Sequence, residues 1–502
     1  MKIGGKMELE KILYEKFSYA QFRKGQKEII QSILHENDTL ALLPTGTGKS
    51  LCYQLPGYLI KGIVLIISPL LSLMQDQVEQ MKIRGEKRVV AINSFLSGEE
   101  RRKVLKNIHK YKFIYISPEL IQNDFILKQM KSVTVSLLVI DEAHCISQWG
   151  YDFRPDYLEL GWIRRELGNP VTLAITATAR EDVRNDIKKF LHMENAKEYI
   201  YSVDRPNIAL QVIKVRDYQE KKEYLFELVK QLTGPGILYF SSKKLANEVA
   251  KELNERSLGP AAAYHSEIDQ EMRILLQQQY LYDELKIMCA TSAFGMGVNK
   301  ENVRYIIHFH PPINLESYLQ EIGRAGRDGE KSIAIMLYSQ DDLILQHQLL
   351  KSEYPSDIQI EHFYRIQYLQ NNHNHIDGTV LEKTVVPEGY TEVQWRLLWK
   401  FFKNSKDEND FKGKLRSFVD ERLAIKKAKL REITDWIEYD GCRRERLLMN
   451  FQETKKEIYD NCCDNCGLDL SCFNQANVPK KQALPIHWRH RLAELFSIEK
   501  GD

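Results

Sequence analysis

Short apolar runs alternate with helix-compatible segments from position 37 to position 338 of the chain. The runs form two sets, the first at 62–67, 112–116, 136–140 and 171–175 and the second at 236–240, 261–264, 286–290, 303–308 and 333–338. Short β-branched and aliphatic runs of this kind are typical of buried parallel strands. The pattern predicts two consecutive parallel-sheet domains with a boundary at 202–207, where Pro206 and polar neighbours interrupt the periodicity.

The last third of the chain has a different pattern, in which strand-like runs thin out and helical periodicity takes over. Helices are predicted around 358–371, 391–404 and 415–439. The length and periodicity of this region fit a compact helix-turn-helix domain. The predicted domains are two α/β domains, a helical region, a cysteine-rich subdomain and a basic tail, at 1–203, 204–343, 344–440, 441–475 and 476–502.

Composition narrows the class of protein without identifying it. The 502 residues include 71 Lys and Arg against 69 Asp and Glu, so any site for a polyanion must be a local patch. The longest apolar stretch, 63–74, is broken by Ser68 and Pro69 and is shorter than the roughly 18 residues that a membrane-spanning helix needs. The first twenty residues carry three glutamates and no secretory signal. We expect a cytoplasmic protein, or a nuclear one if the source is eukaryotic.

A glycine-rich segment after the short apolar strand 39–43 has the features of a phosphate-binding loop. Positions 42–50 read Leu-Leu-Pro-Thr-Gly-Thr-Gly-Lys-Ser, and Leu43 stands where the strict pattern has glycine. The glycines let backbone N–H groups point at phosphate oxygens, while the lysine reaches the terminal phosphates and the serine hydroxyl binds Mg²⁺. The residues expected to bind the nucleotide are Thr45, Gly46, Thr47, Gly48, Lys49 and Ser50.

Two adjacent acids follow the predicted strand 136–140. Asp141 and Glu142 stand at the carboxyl end of that strand, where parallel sheets bind their ligands. We expect Asp141 to hold Mg²⁺ and Glu142 to activate the attacking water in phosphoryl transfer. The alternative is that the pair only caps a helix N-terminus.

Two further groups extend the predicted nucleotide site. Tyr19, Arg23 and Gln26 precede the loop, and they offer a ring for stacking on adenine, a cation and an amide for the polar edge of the base. From the second domain, Arg324 and Arg327 are three residues apart, which places them on one helix face if the segment is helical. Such arginines stabilise charge on the γ-phosphate as arginine fingers. The alternative is an interdomain salt-bridge cluster.

The order of the motifs resembles that of the RecQ family of superfamily-two DNA helicases, over roughly 8–345 and again over 440–472. The matching segments are 22–26, 44–50, 68–77, 116–119, 141–144, 176–179, 264–265, 290–297 and 320–329. The resemblance implies an α/β fold with two tandem RecA-like domains, followed by the helical region and a small zinc-binding subdomain. It also implies ATP and Mg²⁺ as cofactors. One departure is His310, which replaces an acidic residue common in the family.

The stretch 145–157 resembles the family's aromatic-rich loop, which couples single-stranded DNA binding to ATP hydrolysis. Trp149 and Phe153 are suited to stack on bases at about 1–3 kcal/mol each, and Arg154 to pair with phosphate or a carboxylate. The alternative is that the two rings belong to the core. Because RNA helicases of the superfamily lack this loop, the resemblance points to DNA as the substrate.

Five cysteines fall between positions 442 and 472, a density that indicates metal binding in a reducing compartment. Cys442, Cys463 and Cys466 match the family's four-cysteine zinc subdomain. The fourth ligand is Cys472 or Cys462. We prefer Cys472, because two adjacent thiolates seldom reach one ion without strain. The expected role of Zn²⁺ is structural.

The resemblance implies an ATP-dependent DNA helicase that moves 3′ to 5′ along single-stranded DNA in repair, recombination or replication. The alternatives are a translocase or remodeller that does not separate strands, and a DNA-binding scaffold with a vestigial ATPase. Expected partners are single-stranded and tailed or forked DNA, single-strand-binding or recombination proteins, and the nucleoid, with the protein acting as a monomer. Thirty residues follow Cys472, too few for the family's winged-helix and small helical domains. The tail around Trp488 is either a contact for DNA or a partner, or a solvated end.

Overall fold

The computed structural model describes residues 7–69, 71–93, 96–147, 154–292, 294, 300–371 and 386–474. Two parallel α/β lobes come first along the chain, followed by a helical segment and a cysteine-containing module. This architecture confirms the predicted fold class. Among the described residues, no helix combines the length and the apolar character needed to cross a bilayer.

The sheet of the first lobe has seven strands within the described residues, and every neighbouring pair is parallel. The strands are β1 Thr39–Leu42, β2 Ile63–Ile67, β3 Val89–Ile92, β4 Phe113–Ile116, β5 Val135–Asp141, β6 Val171–Thr176 and β7 Lys197–Ile200. Their order across the sheet is β3-β4-β2-β5-β6-β1-β7. Because all strands run the same way, the loops after β1, β2, β5 and β6 meet at one edge of the sheet, where α/β proteins bind ligands.

Helices cover both faces of the first sheet and explain its continuous apolar strands. They are α1 Met7–Phe17, α2 Gln26–Leu34, α3 Leu51–Leu59, α4 Leu71–Ile83, α5 Gly98–Lys106, α6 Pro118–Ile121, α7 Asp124–Lys131, α8 Leu160–Glu166 and α9 Glu181–Phe190, with short 3₁₀ helices at Ile108–Lys110, Ala143–Ile146 and Pro155–Glu159. The two faces have separate cores, one including Leu65 and Ile140 and the other Val64 and Val139, as alternation along β2 and β5 requires.

The second sheet has six parallel strands within the described residues. They are β8 Ile208–Lys214, β9 Gly236–Tyr239, β10 Ala261–Tyr264, β11 Ile287–Ala290, β12 Tyr305–His308 and β13 Ser332–Tyr338, in the order β10-β11-β9-β12-β13-β8. Gly236 is the first residue of β9. The ring of Tyr305 on the neighbouring strand β12 fills the space that a side chain at position 236 would need, and its nearest atom is 2.0 Å from where a Cβ atom would lie. The last strand of the first sheet ends at Ile200 and the first strand of the second begins at Ile208.

Among the described residues, four helices that pack on the second sheet begin at a polar cap whose side chain accepts a backbone N–H bond. They are α10 Tyr218–Gln231, α11 Lys243–Glu255, α12 Gln270–Leu281 and α13 Leu315–Ile322, capped in turn by Asp217, Ser242, Asp269 and Asn314. The cap of α13 is the tightest, with 2.7 Å between Asn314 Oδ1 and the backbone nitrogen of Ser317. This cap fixes the start of the helix that leads to the two arginines of the candidate site.

The helical segment has an aromatic core of its own. Its helices are α14 Asp341–Ser352, α15 Asp357–Asn371, α16 Glu392–Lys403 and α17 Glu408–Glu438. Phe363 lies at the centre of this core, with its ring centroid 5.1 Å from that of Trp395 and 5.7 Å from that of Phe402. The helix-turn-helix interpretation stays a prediction, because 372–385 lie outside the described residues.

The 31-residue helix α17, about 46 Å long, joins this segment to the second lobe. Phe411 and Leu415 near its start belong to the aromatic core, whereas Ile433 and Trp436 near its end belong to the core of the second lobe. The short helix α18, Arg443–Asn450, and two 3₁₀ helices, Asp464–Cys466 and Leu470–Phe473, complete the cysteine module. This one helix therefore packs in the aromatic core at its start and in the core of the second lobe at its end, and the cysteine module follows it.

Candidate active site and metal centre

The glycine-rich loop connects β1 to α3 at the ligand-binding edge of the first sheet. Gly46 and Gly48 have φ values of 86° and 78°, a region that non-glycine residues rarely adopt. Thr47 stabilises the turn, since its hydroxyl donates to the carbonyl oxygen of Pro44 over 2.7 Å. The loop therefore has the backbone shape that a phosphate-binding loop requires, and Lys49 and Ser50 follow at the start of α3.

Residues that precede the loop in the sequence stabilise it by hydrogen bonds to its backbone. The Gln26 amide nitrogen donates to the carbonyl oxygens of Thr47, at 2.7 Å, and Gly48, at 3.2 Å, while its oxygen accepts from the backbone N–H of Arg23 at 2.9 Å. The Arg23 guanidinium donates to the Gly46 carbonyl oxygen. Tyr19, with 46% of its surface exposed, lines the mouth of the same cleft. In this geometry Gln26 and Arg23 shape the loop, and Tyr19 offers a free ring face.

The two acids lie where β5 ends. Asp141 closes the strand, and Glu142 follows with a φ of 48° that turns its side chain toward the loop. Lys49 Nζ lies 3.6 Å from Glu142 Oε1, and the Ser68 hydroxyl donates to Asp141 Oδ2 over 3.4 Å. Burial and the neighbouring charge of Glu142 raise the pKa of Asp141 to about 7. The two adjacent, buried carboxylates offer oxygen ligands of the kind that divalent cations prefer.

His144 connects the acids to the next motif of the first lobe. Its Nδ1 lies 2.8 Å from the Thr176 hydroxyl at the end of β6 and 3.4 Å from Glu142 Oε2. The Thr176 hydroxyl in turn donates to the carbonyl oxygen of Thr178 at 3.3 Å. The histidine was not among the predicted site residues. Both partners belong to segments that match the family, Asp-Glu-Ala-His and Thr-Ala-Thr-Ala, but their contact is visible only in the structure.

Arg324 and Arg327 reach the same cleft from the second lobe. Helix α13 ends at Ile322, so both arginines lie in the turn that follows the helix and not on a helix face. Burial and the charges of Arg324 and Arg205 lower the pKa of Arg327 to about 9. A Cβ atom on Gly46 would lie 2.9 Å from Arg327 Cγ, so the arginine packs directly on the phosphate loop.

A cleft of about 240 Å³ brings these groups together. Its lining includes every predicted nucleotide-site residue except Thr47, together with both acids and both arginines, namely Tyr19, Arg23, Gln26, Thr45, Gly46, Gly48, Lys49, Ser50, Asp141, Glu142, Arg324 and Arg327. Thr47 contributes its carbonyl oxygen to Gln26. Arg205 was missed by sequence analysis, although its guanidinium donates to the Thr45 carbonyl oxygen at 3.2 Å. It stands at 202–207, the predicted boundary between the two α/β domains.

The predicted DNA-binding loop, 145–157, is described at its two ends, 145–147 and 154–157. Trp149 and Phe153 lie outside the described residues. Arg154 lies within them, and its guanidinium donates to the carbonyl oxygen of Pro69 at 3.0 Å, which ties the end of the loop to the turn after β2. Its backbone N–H donates to the Cys145 carbonyl oxygen at 2.9 Å. The loop is thus anchored at Cys145, three residues after Glu142.

Four thiols of the cysteine module form a compact cluster. The sulfur atoms of Cys442, Cys462, Cys463 and Cys466 all lie within 4.8 Å of one another, and those of Cys442 and Cys462 are 3.7 Å apart. A tetrahedral zinc site with 2.3 Å bonds has sulfur–sulfur edges of about 3.8 Å. The donor set and its size therefore fit Zn²⁺.

The cluster corrects the preference for Cys472 as the fourth ligand. Cys472 lies on the 3₁₀ helix Leu470–Phe473 beside Asn461 and Asp469, where its sulfur is 3.6 Å from Asn461 Nδ2 and 3.7 Å from Asp469 Oδ2. Cys462 and Cys463 are adjacent in the sequence, and their sulfur atoms nevertheless both belong to the cluster. The adjacent thiols therefore meet in one site.

Comparison with protein families gives three matches in succession along the chain. The DEAD/DEAH box helicase family matches residues 23–186, the helicase conserved C-terminal domain matches 220–329 and the RecQ zinc-binding family matches 408–467. The first two correspond to the two lobes. The third begins with α17 and ends before Cys472, in agreement with the cluster geometry.

Curated relatives align over long stretches. The probable ATP-dependent DNA helicase RecS of Bacillus subtilis is 44% identical over 493 residues, which are 98% of this chain and 98% of that protein. The ATP-dependent DNA helicase RecQ of Haemophilus influenzae is 38% identical over 353 residues, 70% of this chain and 56% of that protein. The chain thus spans almost all of RecS and little more than half of this RecQ.

Solved structures share the two-lobed fold at low sequence identity. Helicase Lhr of Mycobacterium smegmatis, bound to ssDNA and AMP-PNP, has a TM-score of 0.55 and 23% identity over 68% of this chain and 49% of that chain. Dbp5 of S. cerevisiae, bound to RNA and ADP BeF3, has a TM-score of 0.55 and 19% identity over 68% of this chain and 90% of that chain. The identity to RecS along nearly the whole chain and the RecQ zinc-binding match show that this protein belongs to the RecQ family of helicases.

Proposed function

We propose that this protein is an ATP-dependent DNA helicase that couples ATP hydrolysis to movement on single-stranded DNA and to duplex unwinding. The observation that carries the proposal is the single cleft in which Lys49 and Glu142 of the first lobe face Arg324 and Arg327 of the second. A nucleotide in such a cleft contacts both lobes, so its hydrolysis changes how the lobes are held. The names of the relatives, ATP-dependent DNA helicases, support the same activity.

ATP binds with its phosphates on the backbone N–H groups of the loop from Thr45 to Ser50 and with its terminal phosphates on Lys49. The exposed ring of Tyr19 stacks on the adenine. Both ends of the Gln26 amide already have protein partners, which supports a role in holding the loop for the phosphates. Contact of Gln26 with the polar edge of adenine would require it to exchange these bonds.

The hydroxyl of Ser50 and the carboxylate of Asp141 would hold Mg²⁺, a hard cation that prefers oxygen ligands. When bound, Mg²⁺ neutralises charge on the β- and γ-phosphates. Burial and the adjacent charge of Glu142 together raise the pKa of Asp141, and this cost of an unneutralised carboxylate supports the presence of a cation here. Zn²⁺ is proposed at the separate thiol cluster of Cys442, Cys462, Cys463 and Cys466, as a structural ion.

Glu142 orients and deprotonates the water that attacks the γ-phosphate. Its Oε1 lies 3.6 Å from Lys49 Nζ and its Oε2 lies 3.4 Å from His144 Nδ1, and these two neighbours restrict its orientation. The guanidinium groups of Arg324 and Arg327 stabilise the charge that develops on the transferred phosphoryl group, as arginine fingers do in other NTPases. Because each lobe supplies part of the machinery, hydrolysis depends on cleft closure.

Cleft opening after hydrolysis shifts the grip on one DNA strand. We propose the aromatic loop, with Trp149, Phe153 and Arg154, as the element that contacts single-stranded DNA. Its anchoring near Pro69 and Cys145 supports a mechanical link to the acids. We further propose 3′ to 5′ movement, action as a monomer in repair, recombination or replication, location at the bacterial nucleoid and contact with single-strand-binding or recombination proteins.

A strand-displacement assay tests the proposal. Duplexes with a 3′ tail, a 5′ tail or blunt ends are incubated with ATP and Mg²⁺, and Lys49→Ala serves as the inactive variant. The exposed Lys61→Ala is the matched control. ATP-dependent displacement of the 3′-tailed duplex by the wild type and Lys61→Ala, but not by Lys49→Ala, is expected. ATPase activity stimulated by single-stranded DNA without displacement of any duplex would favour the translocase or remodeller.

A further inference from the structure

The Arg205 side chain joins the two lobes at the edge of the nucleotide cleft. Its Nη1 donates to the carbonyl oxygens of Thr45, in the phosphate loop, and Gly323, both at 3.2 Å. Its Nη2 donates to the carbonyl oxygens of Ala325 and Gly326 at 3.0 and 2.7 Å. One guanidinium therefore binds the loop that holds the phosphates and the turn that carries Arg324 and Arg327.

The acceptors are spaced so that they fix the arginine turn. The carbonyl oxygens of Gly323, Ala325 and Gly326 surround Arg324, and Arg327 follows directly. A planar guanidinium with five donors in a fixed fork satisfies such a set, whereas the single ammonium group of lysine cannot span it. The turn thereby takes its position from the Thr45 carbonyl oxygen through Arg205.

The two lobes are in direct contact where Gly323 meets Thr45. A Cβ atom on Gly323 would lie 1.8 Å from the Thr45 hydroxyl oxygen, so backbone and side chain are already in contact there. Arg205 is also half-buried, and burial together with the charge of Arg23 lowers its pKa. A desolvated cation with carbonyl partners from both lobes is costly, and it fixes geometry at the same time.

The backbone of Arg205 is held from the other side by the cysteine module. Arg444 Nη1 donates to the Arg205 carbonyl oxygen at 3.0 Å and to Asp204 Oδ1 at 2.5 Å. Asn207 supports the turn directly, since its Nδ2 donates to the Gly326 carbonyl oxygen at 2.8 Å. The segment between the lobes is therefore a fixed support for the Arg205 side chain.

We propose that Arg205 is a positioning residue for ATP hydrolysis: it holds the turn with Arg324 and Arg327 against the phosphate loop. Arg205 acts through Arg327 and does not itself contact the phosphates. This inference rests on the proposed ATPase function. It predicts an effect on turnover and little effect on ATP affinity, because the loop and Lys49 remain intact.

The test compares steady-state ATP hydrolysis, at saturating single-stranded DNA, of the wild type with Arg205→Gln and Arg205→Lys. Arg216→Gln, a substitution at an exposed arginine of the same lobe, is the matched control. We expect kcat to fall roughly 10- to 100-fold in both Arg205 variants, as for other small displacements of catalytic groups, with KM for ATP within about threefold. The control keeps wild-type kcat. Wild-type kcat in either Arg205 variant would overturn the proposal.

A double-mutant cycle with Arg327→Ala separates positioning from general destabilisation. If Arg205 acts through Arg327, Arg205→Gln lowers kcat by less than about twofold once Arg327 is absent. Losses that multiply would overturn the proposal. If Arg205→Gln has a lowered Tm, Arg205→Lys decides the cycle in its place. Unchanged kcat in Arg327→Ala alone would instead refute the arginine role in the proposed function.

Discussion

Arg327 Cγ lies 2.9 Å from the point that a Cβ atom on Gly46 would occupy, so the second lobe packs on the phosphate loop itself. Position 46 requires glycine for two reasons: its φ is 86°, and Arg327 fills the space that a side chain would occupy. The turn that carries Arg327 is therefore in direct contact with the phosphate loop. This contact is the structural basis for regarding the cleft as a two-lobed ATPase site.

The same close approach predicts the effect of a single methyl group at Gly323. A Cβ atom there would lie 1.8 Å from the Thr45 hydroxyl oxygen, so Gly323→Ala must push the lobes apart. We expect the DNA-stimulated ATPase rate to fall at least tenfold, because the arginines move away from the phosphates. Gly98→Ala, with no atom within 4 Å of its added Cβ, is the control. Equal rates for the two variants would show that the lobes are not in contact in the working enzyme.

Zinc content distinguishes the two candidate fourth ligands. Cys462 belongs to the thiol cluster and Cys472 does not, so Cys462→Ser should lose most of the bound zinc while Cys472→Ser keeps one ion per chain. The measurement is metal analysis of the purified proteins by mass spectrometry. Zinc that is retained in Cys462→Ser and lost in Cys472→Ser would contradict the cluster.

Spacing along the sequence could not make this choice, because it depends on backbone conformation. Adjacent cysteines reach one ion only when the backbone brings both side chains to the same side, as it does here for Cys462 and Cys463. With Cys472 the sequence supplied the four ligands that a zinc site needs. Its neighbours Leu470 and Phe473 pack on the second lobe, however, and hold Cys472 away from the cluster. The other three cysteines followed from the CxxC spacing and the family resemblance.

Most of the fold, in contrast, follows from the apolar runs. Buried strands such as β2 and β5 are continuous apolar sequences, and the structure confirms them. β7 is an exposed edge strand, Lys197–Ile200, so no apolar run marks it. Arg205 was missed for a related reason: it stands beside Pro206 in a polar stretch typical of linkers, and its role appears only when its carbonyl partners converge from distant segments.

The buried His310 of the second lobe predicts a pH dependence of stability. His310 is buried, its Nδ1 accepts a hydrogen bond from the Ser241 backbone N–H at 3.2 Å, and burial followed by the charge of Lys221 lowers its pKa to about 3. The unfolded chain binds this proton near pH 6.5, so the stabilisation is present above 6.5 and is lost as pH falls. Between pH 7.5 and 5.5 the loss is about 1.4 kcal/mol.

Urea denaturation of the wild type and His310→Asn at pH 7.5 and 5.5 measures this loss in the free energy of unfolding. Asn offers an amide oxygen to the Ser241 N–H and does not titrate, so the fall in free energy of unfolding should be about 1.4 kcal/mol smaller than in the wild type. The exposed His109→Asn is the control and should follow the wild type. An identical pH dependence in His310→Asn and the wild type would refute the assignment.

The rate of ATP hydrolysis by Arg327→Ala, at saturating single-stranded DNA and with Lys331→Ala as an exposed control from the same lobe, tests the central claim most directly. If arginines of the second lobe complete the site of the first, kcat should fall roughly 10³-fold or more while nucleotide still binds. Hydrolysis at the wild-type rate would mean that the first lobe acts alone, and the two-lobed motor would be contradicted.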